Sequence, residues 1–311
     1  MAKRAGTQSE FMMKHAATES FDVEIRDVVY LDKAGTALDA RMYLPRGDGP
    51  FPLIVEIHGG AWCRGSRLDE HNMNEALARR GIAVAAIDFT MPPAASYPAS
   101  LRDINFAVRW VKSTAAQWRT RPDLVGLLGV SSGGHQAIVT AMRPRDPLFA
   151  VEPLAPAHAD IDARAAFVVA CWPVIDPLGR YLYAKQLQSS GKPYPAAIDR
   201  VIPDQEKYWL SEAAMAEGSP AIALERGEPC EMPPLLYLQG EDDIVHPRAQ
   251  LERFVGAWRR AGGSVTLHLY ENEAESFITR RPDSPGTADA IADIGDFVLQ
   301  QAEAILAGSL S

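Results

Sequence analysis

The stretch "LVGLLGVSSGGHQAIVTAM", residues 124–142, reads as an apolar strand, a glycine- and serine-rich turn, and a helical pattern in direct succession. Within it stands G-x-S-x-G, at Gly129, Ser131 and Gly133. A lone match to so short a pattern is weak, but a match between strand and helix is the setting of a nucleophile elbow. The glycines allow a strained turn that lifts the Ser131 hydroxyl out of the sheet. The N-terminus of the following helix favours negative charge beside it. Ser132 is the poorer candidate, since Val130 and not glycine lies two positions before it. A plain Gly/Ser turn is the bland reading, and the strand–turn–helix context weighs against it.

The same alternation continues outward. "VEIRDVVYLD" (23–32) and "ARMYLP" (40–45) alternate polar and apolar residues, as an antiparallel edge pair does. Residues 52–60, 82–89, 165–174, 234–240 and 265–270 form short, mostly apolar runs that read as buried parallel strands. Helical patterns fall between them. The helix in "ASLRDINFAVRWV" places Leu101, Ile104, Val108 and Val111 on one face. Strands alternating with helices predict a doubly wound sheet covered on both faces. One segment, 175–222, is far longer than an ordinary connection. It predicts a cap insertion over the strand C-termini, with the core formed by 21–174 and 223–311. Residues 1–20 are expected to form an N-terminal arm.

The chain has 311 residues and a formal net charge of -9, which disfavours nucleic acid and anionic membrane surfaces. No apolar run approaches the length of a membrane span, and the first residues lack the apolar core of a secretory signal. Three widely spaced cysteines suggest neither a disulfide framework nor a zinc site. A cytoplasmic location is therefore the expectation. No phosphate-cradling loop and no metal-ligand spacing stand out, so neither cofactor nor metal is expected. That leaves a small-molecule substrate as the expected partner, with a homodimer open.

Two further stretches carry chemistry. "IHGGAWCRG" (57–65) closes the strand that starts at Pro52. Consecutive glycines there let the N–H groups of Gly59 and Gly60 point at a developing oxyanion, with the Ser132 N–H as a further donor. His58 belongs to the same stretch, and Trp62 is expected to wall the substrate pocket. "LQGEDDIVHP" (238–247) closes the next-to-last core strand, and Asp243 in it is the acid placed to orient a catalytic base.

Taken together, "HGGAW", "YPASLRDINFAVRWV", "GVSSGGH", "WPVIDP" and "GEDDIVHP" resemble the α/β-hydrolase fold, in particular the hormone-sensitive-lipase and acetyl-esterase-like carboxylesterases. The resemblance spans about residues 25–305. It implies an eight-stranded, mostly parallel sheet with the second strand antiparallel, and a serine nucleophile and acid at Ser131 and Asp243. Two departures stand out. "TMPPAASYP" only loosely follows the family, and in "LHLYENEAESF" (267–277) Glu275 occupies the place where the family carries its catalytic histidine. A glutamate is ordinarily about two pH units less basic than imidazole. Three readings follow. The chain is an ester hydrolase with a Ser131–Glu275–Asp243 site, a lyase, isomerase or cyclase that uses Glu275 as proton shuttle, or an inactive ligand-binding protein. Among the seven histidines, His246 in the acid loop is the best substitute base.

Overall fold

The computed structural model describes residues 20–308 apart from residue 34. The expected N-terminal arm, residues 1–20, lies almost wholly outside the described residues.

Eight strands form one sheet: β1 (Val23–Lys33), β2 (Thr36–Pro45), β3 (Leu53–Ile57), β4 (Ala83–Ile87), β5 (Val125–Val130), β6 (Val168–Cys171), β7 (Leu235–Gly240) and β8 (Val265–Tyr270). Their spatial order is β1-β2-β4-β3-β5-β6-β7-β8. β2 runs antiparallel to both of its neighbours, and every pair from β4 to β8 is parallel. Composition explains the arrangement. Every residue of β3, β4, β5, β6 and β7 is buried, as parallel strands covered on both faces require. β1, at one edge, mixes exposed and half-buried positions.

Alternate residues of each strand feed opposite faces. Leu53, Val55, Ile57, Val125 and Leu127 pack with Ile104 and Val108 of α2 (Ala99–Ser113), Ala137 and Ile138 of α3 (Ser132–Met142), and Phe254 of α8 (Arg248–Arg260). Ile54, Val84, Leu128 and Val130 face the other way. They meet Met73 and Leu77 of α1 (His71–Arg79), and Ile294 and Val298 of α10 (Pro285–Gly308), which follows the short α9 (Phe277–Arg280). A parallel sheet sends the loops after its strands to one end. The turns after β3, β5, β7 and β8 therefore share the C-terminal edge, where such sheets bind ligands.

The long connection after β6 folds into four helices: α4 (Pro177–Ser189), α5 (Ile198–Trp209), α6 (Glu212–Glu217) and α7 (Pro220–Glu225). Asp176, Ser211 and Ser219 each accept a backbone N–H at the start of the helix that follows. Pro177 and Pro220 sit in the first helical turn, where a missing N–H costs nothing. The segment is not a separate unit through to residue 222. Ala221 and Ala223 of α7 are buried in the main core, and the Ala221 N–H donates to the Ile175 carbonyl at 3.1 Å. The part that stands over the sheet is α4 and α5. It rests on a small aromatic cluster of Trp62, Tyr181, Tyr208 and Trp209.

Candidate active site

Ser131 follows β5 and caps α3 with φ 53° and ψ -116°. That conformation is an outlier for any residue with a Cβ and costs on the order of 1–3 kcal/mol. Three hydrogen bonds hold it. The Ser131 N–H donates to the Cys171 carbonyl at 2.9 Å, and the Ser131 carbonyl accepts from Val174 at 3.2 Å and His135 at 3.1 Å. Strand β6 and helix α3 thus grip the residue from both sides. Its side chain opens into a cavity of about 470 Å³, which Gly59, Gly60, Glu275, Glu70 and the cap residues Arg180 and Arg200 help to line. Ser132, by contrast, is fully buried, and its hydroxyl accepts the Trp62 N–H at 3.1 Å.

That bond ties the glycine turn after β3 to the elbow. Three consecutive residues, Gly60, Ala61 and Trp62, have positive φ. At Gly60, with φ +105°, a Cβ would lie 2.1 Å from the Arg64 carbonyl oxygen, so only glycine closes this turn. A Cβ on Gly59 would lie 3.6 Å from that of Ser131, which measures how closely the turn lies against the elbow.

The structure corrects the expected pocket walls. Trp62 is fully buried and does not line the cavity. Its ring stacks on Tyr208 at 5.4 Å, and its indole N–H donates to His135 Nδ1 at 3.2 Å. Burial lowers the His135 pKa to about 4, so the ring is neutral, and its Nε2–H donates to the Gly218 carbonyl at 2.8 Å. Trp62 thus anchors the cap on the elbow. His58 is also fully buried, stacked on Phe89 at 4.3 Å with Nδ1 bonded to the Gly59 carbonyl at 2.8 Å. Burial lowers its pKa, and it props the glycine turn from beneath.

The expected acid–base pair is also rearranged. Asp243 Oδ1 accepts the N–H groups of Val245 and His246 at 2.8 and 2.9 Å, and Oδ2 lies 2.9 Å from His246 Nδ1. Burial alone would raise the Asp243 pKa, but the His246 ring and these N–H bonds hold it below the usual value. The pairing of Asp243 with Glu275 in the expected Ser131–Glu275–Asp243 site is therefore not formed. Among the described residues, Asp243 bonds to Val245 and His246, and no hydrogen bond joins it to Glu275. His246, the other candidate base, turns its Nε2 to Nη1 of Arg180 at 3.4 Å, and among the described residues no hydrogen bond joins its ring to Ser131. A histidine placed at 275 would find the orienting acid already taken.

Glu275 itself is half-buried in the loop after β8 and faces the same cavity as Ser131. Two contacts bring its loop there: the Glu241 N–H donates to the Tyr270 carbonyl at 2.9 Å, and the Asp242 N–H to the Glu273 carbonyl at 3.0 Å. Ser131 and Glu275 thus line one cavity, with no hydrogen bond between them among the described residues, while the Asp243 carboxylate is bonded to His246.

Two cavity residues escape a sequence reading. Arg180 is 3% exposed although arginine is seldom buried without a charge partner. The signal was its place beside Tyr181 on the buried face of α4. Glu70 is buried and accepts the Thr279 hydroxyl at 2.8 Å, and nothing in "LDEHNMNE" distinguishes it from its acidic neighbours. Burial raises its pKa to about 7, against the Thr279 bond and with help from Asp69. A folded-state pKa raised in this way costs stability as pH climbs from about 4.5 to about 7, by roughly 3 kcal/mol in all. Glu70→Gln keeps the shape without the charge. It is expected to match the native protein near pH 4.5 and to exceed it by up to about that amount above pH 8. Urea titrations across this range will read the difference, and a pH-independent difference would refute the assignment.

Among the described residues no group of three or more His, Cys, Asp or Glu is placed to hold a metal ion. No helix among them is long and apolar enough to cross a membrane.

Comparison with known proteins places these features in context. A family model, BD-FAE, matches residues 40–257. The chain is similar to the probable carboxylic ester hydrolase LipM of Mycobacterium tuberculosis, at 26% identity over 71% of this chain and 48% of that protein. It is also similar to a probable isoprenylcysteine alpha-carbonyl methylesterase of Oryza sativa, at 24% identity over 86% of this chain and 62% of that protein. The chain spans about half the length of the curated relatives it matches. Among solved structures, an esterase of Pyrobaculum calidifontis superposes with a TM-score of 0.72 at 20% identity, covering 94% of this chain and 90% of that one. That likeness shows the α/β-hydrolase fold.

Proposed function

Since the chain belongs to the BD-FAE family, matched across residues 40–257, we propose that it hydrolyses a small carboxylic ester, with Ser131 as nucleophile and Glu275 as base. The observation that carries this reading is the strained Ser131, φ 53°, opening into one cavity with Gly59, Gly60 and Glu275. Strain of this kind persists only where the surroundings over-determine it, and it gathers at reacting groups. The relatives named as ester hydrolases support the reaction class.

In this mechanism Ser131 Oγ attacks the ester carbonyl carbon while Glu275 takes the hydroxyl proton. The N–H groups of Gly59, Gly60 and Ser132 receive the negative charge that forms on the carbonyl oxygen. The C–O bond to the alcohol breaks, and the proton passes from Glu275 to the leaving oxygen. Water then attacks the acyl-enzyme, Glu275 takes its proton, and the acid departs as Ser131 Oγ is reprotonated. Asp243 takes no part in proton transfer. It fixes His246, which in turn supports Arg180. Unpaired cysteines at 63, 171 and 230 are in keeping with the reducing, cytoplasmic location we propose.

A fluorophosphonate that phosphonylates activated serines tests the reading. Intact mass should show a single adduct, mapped to Ser131, with none formed by Ser131→Ala. Native protein that stays unmodified at millimolar reagent would mean the elbow holds no working nucleophile.

A further inference from the structure

Arg180 is a cation taken out of water without an anion. Its Nε donates to Gln205 Oε1 at 3.1 Å, its Nη1 approaches His246 Nε2 at 3.4 Å, and its guanidinium lies 5.4 Å over the Trp62 ring. None of the three neighbours is a carboxylate. Among the described residues no carboxylate forms an ion pair with it, and its Nη2 has no acceptor. Glu275, Asp243 and Asp204 act on it only through space. Desolvating a charge is costly unless it is paired, and an aliphatic side chain would pack against Trp62 without that cost. The exposed side of Arg180 is the cavity that also holds Ser131.

The other cavity arginines differ in kind. Arg64 is clamped by both oxygens of Asp204, at 2.8 and 2.6 Å. Arg200 on α5 and Arg280 after the Glu275 loop line the cavity, are exposed, and form no ion pair among the described residues. Of the four acids that line it, Asp204 is spent on Arg64, Asp69 accepts the Ser66 hydroxyl, burial raises the Glu70 pKa to about 7, and Glu275 stands on the loop after β8. On the cap side, Arg180 and Arg200 have no ion-pair partner among the described residues.

Resting on the ester-hydrolase reading above, we propose that the substrate is a half-ester of a dicarboxylic acid, whose free carboxylate is received by Arg180 with Arg200 at the cavity rim. A guanidinium presents parallel N–H groups that match the two oxygens of a carboxylate, and such bonds are about twice as strong as neutral ones. One buried guanidinium suits a single negative charge. The reacting carbonyl then sits over Ser131, and the acyl chain spans from the elbow to α4. The reaction stays an ester hydrolysis: water is consumed, the alcohol leaves, and a dicarboxylate is the product.

The test separates binding from turnover. In a Ser131→Ala background, isothermal calorimetry will compare monomethyl adipate, an anion, with dimethyl adipate, its neutral counterpart. The anion is expected to bind at least about tenfold more tightly, as a charge-assisted bond to a buried arginine implies. Adding Arg180→Gln should remove that preference, Arg180→Lys should keep part of it, and Arg200→Ala should reduce it about threefold. Arg200 is exposed, so its variant reports on the site even where Arg180→Gln fails to fold. Equal binding of the two esters, no binding of either at millimolar concentration, or a preference that survives Arg180→Gln or, where that variant does not fold, Arg200→Ala would overturn the proposal. Binding of the anion by a protein whose native form hydrolyses neither p-nitrophenyl butyrate nor mono-p-nitrophenyl adipate would leave the anion site standing and remove the hydrolase reading. Hydrolysis of p-nitrophenyl butyrate without any anion preference would do the reverse.

Discussion

Ser131→Ala is expected to lower hydrolysis of p-nitrophenyl butyrate by at least about a thousandfold, to the level that the oxyanion turn alone sustains. The residue's backbone is fixed by Cys171, Val174 and His135 through main-chain bonds that alanine keeps. Alanine also bears the same left-handed strain as serine, so nothing in the fold is relieved or lost. The variant should therefore unfold within about 0.5 kcal/mol of the native protein, the range of a substitution that removes no packing. An inactive variant that is also strongly destabilised would assign the loss to folding and not to the missing hydroxyl. Retained turnover would move the nucleophile elsewhere.

Gly133→Ala should be the most damaging small substitution in the elbow. A Cβ there would lie 2.0 Å from the Ile57 carbonyl oxygen and 2.5 Å from that of His58, both backbone atoms. Neither atom can rotate away, because Ile57 ends a strand paired on both sides. Helix α3 would have to lift off β3, opening the packing of Ala137 and Ile138. A loss of about 3 kcal/mol or more is expected, at or above the upper end for overpacking a core. Gly256→Ala is the contrast. It lies inside α8, and its nearest new neighbour is the flexible Arg260 guanidinium at 3.1 Å. That change should stabilise, by up to about 1 kcal/mol from helix propensity. Denaturant midpoints for the two variants should move in opposite directions. If both move alike, close contact between α3 and β3 is not what requires glycine at 133.

Much of this was legible in the sequence, for a reason that lies in the architecture. Parallel strands covered on both faces leave short, continuous apolar runs, and β3 to β7 each stand where such a run was read. The elbow was legible because glycine spacing, strand and helix are all local. What failed was whatever depended on packing across the chain. Trp62 and His58 sit in the stretch that builds the oxyanion turn, yet their rings are spent on Tyr208 and Phe89, partners remote in sequence. Asp243 was correctly placed in the loop after β7, but its partner is His246 three residues on, and not Glu275. Arg180 and Glu70 could not be singled out, since an arginine or a glutamate in a helical pattern is ordinarily solvated. Only the fold buries them, setting Arg180 against Trp62 and His246 and Glu70 against Thr279, all remote in sequence.

In the mechanism we propose, Glu275 stands in for histidine as the base that activates Ser131. Single-turnover acylation by p-nitrophenyl butyrate, followed through the first release of p-nitrophenol, tests it in native protein and in Glu275→Gln. The glutamine preserves the side chain's size and its place in the half-buried loop, but it cannot take a proton. Acylation in Glu275→Gln is expected to slow by at least about a hundredfold, the contribution of a positioned general base, while the folded structure is retained. Equal acylation rates in the two proteins would contradict the claim and place the base of this site outside residue 275.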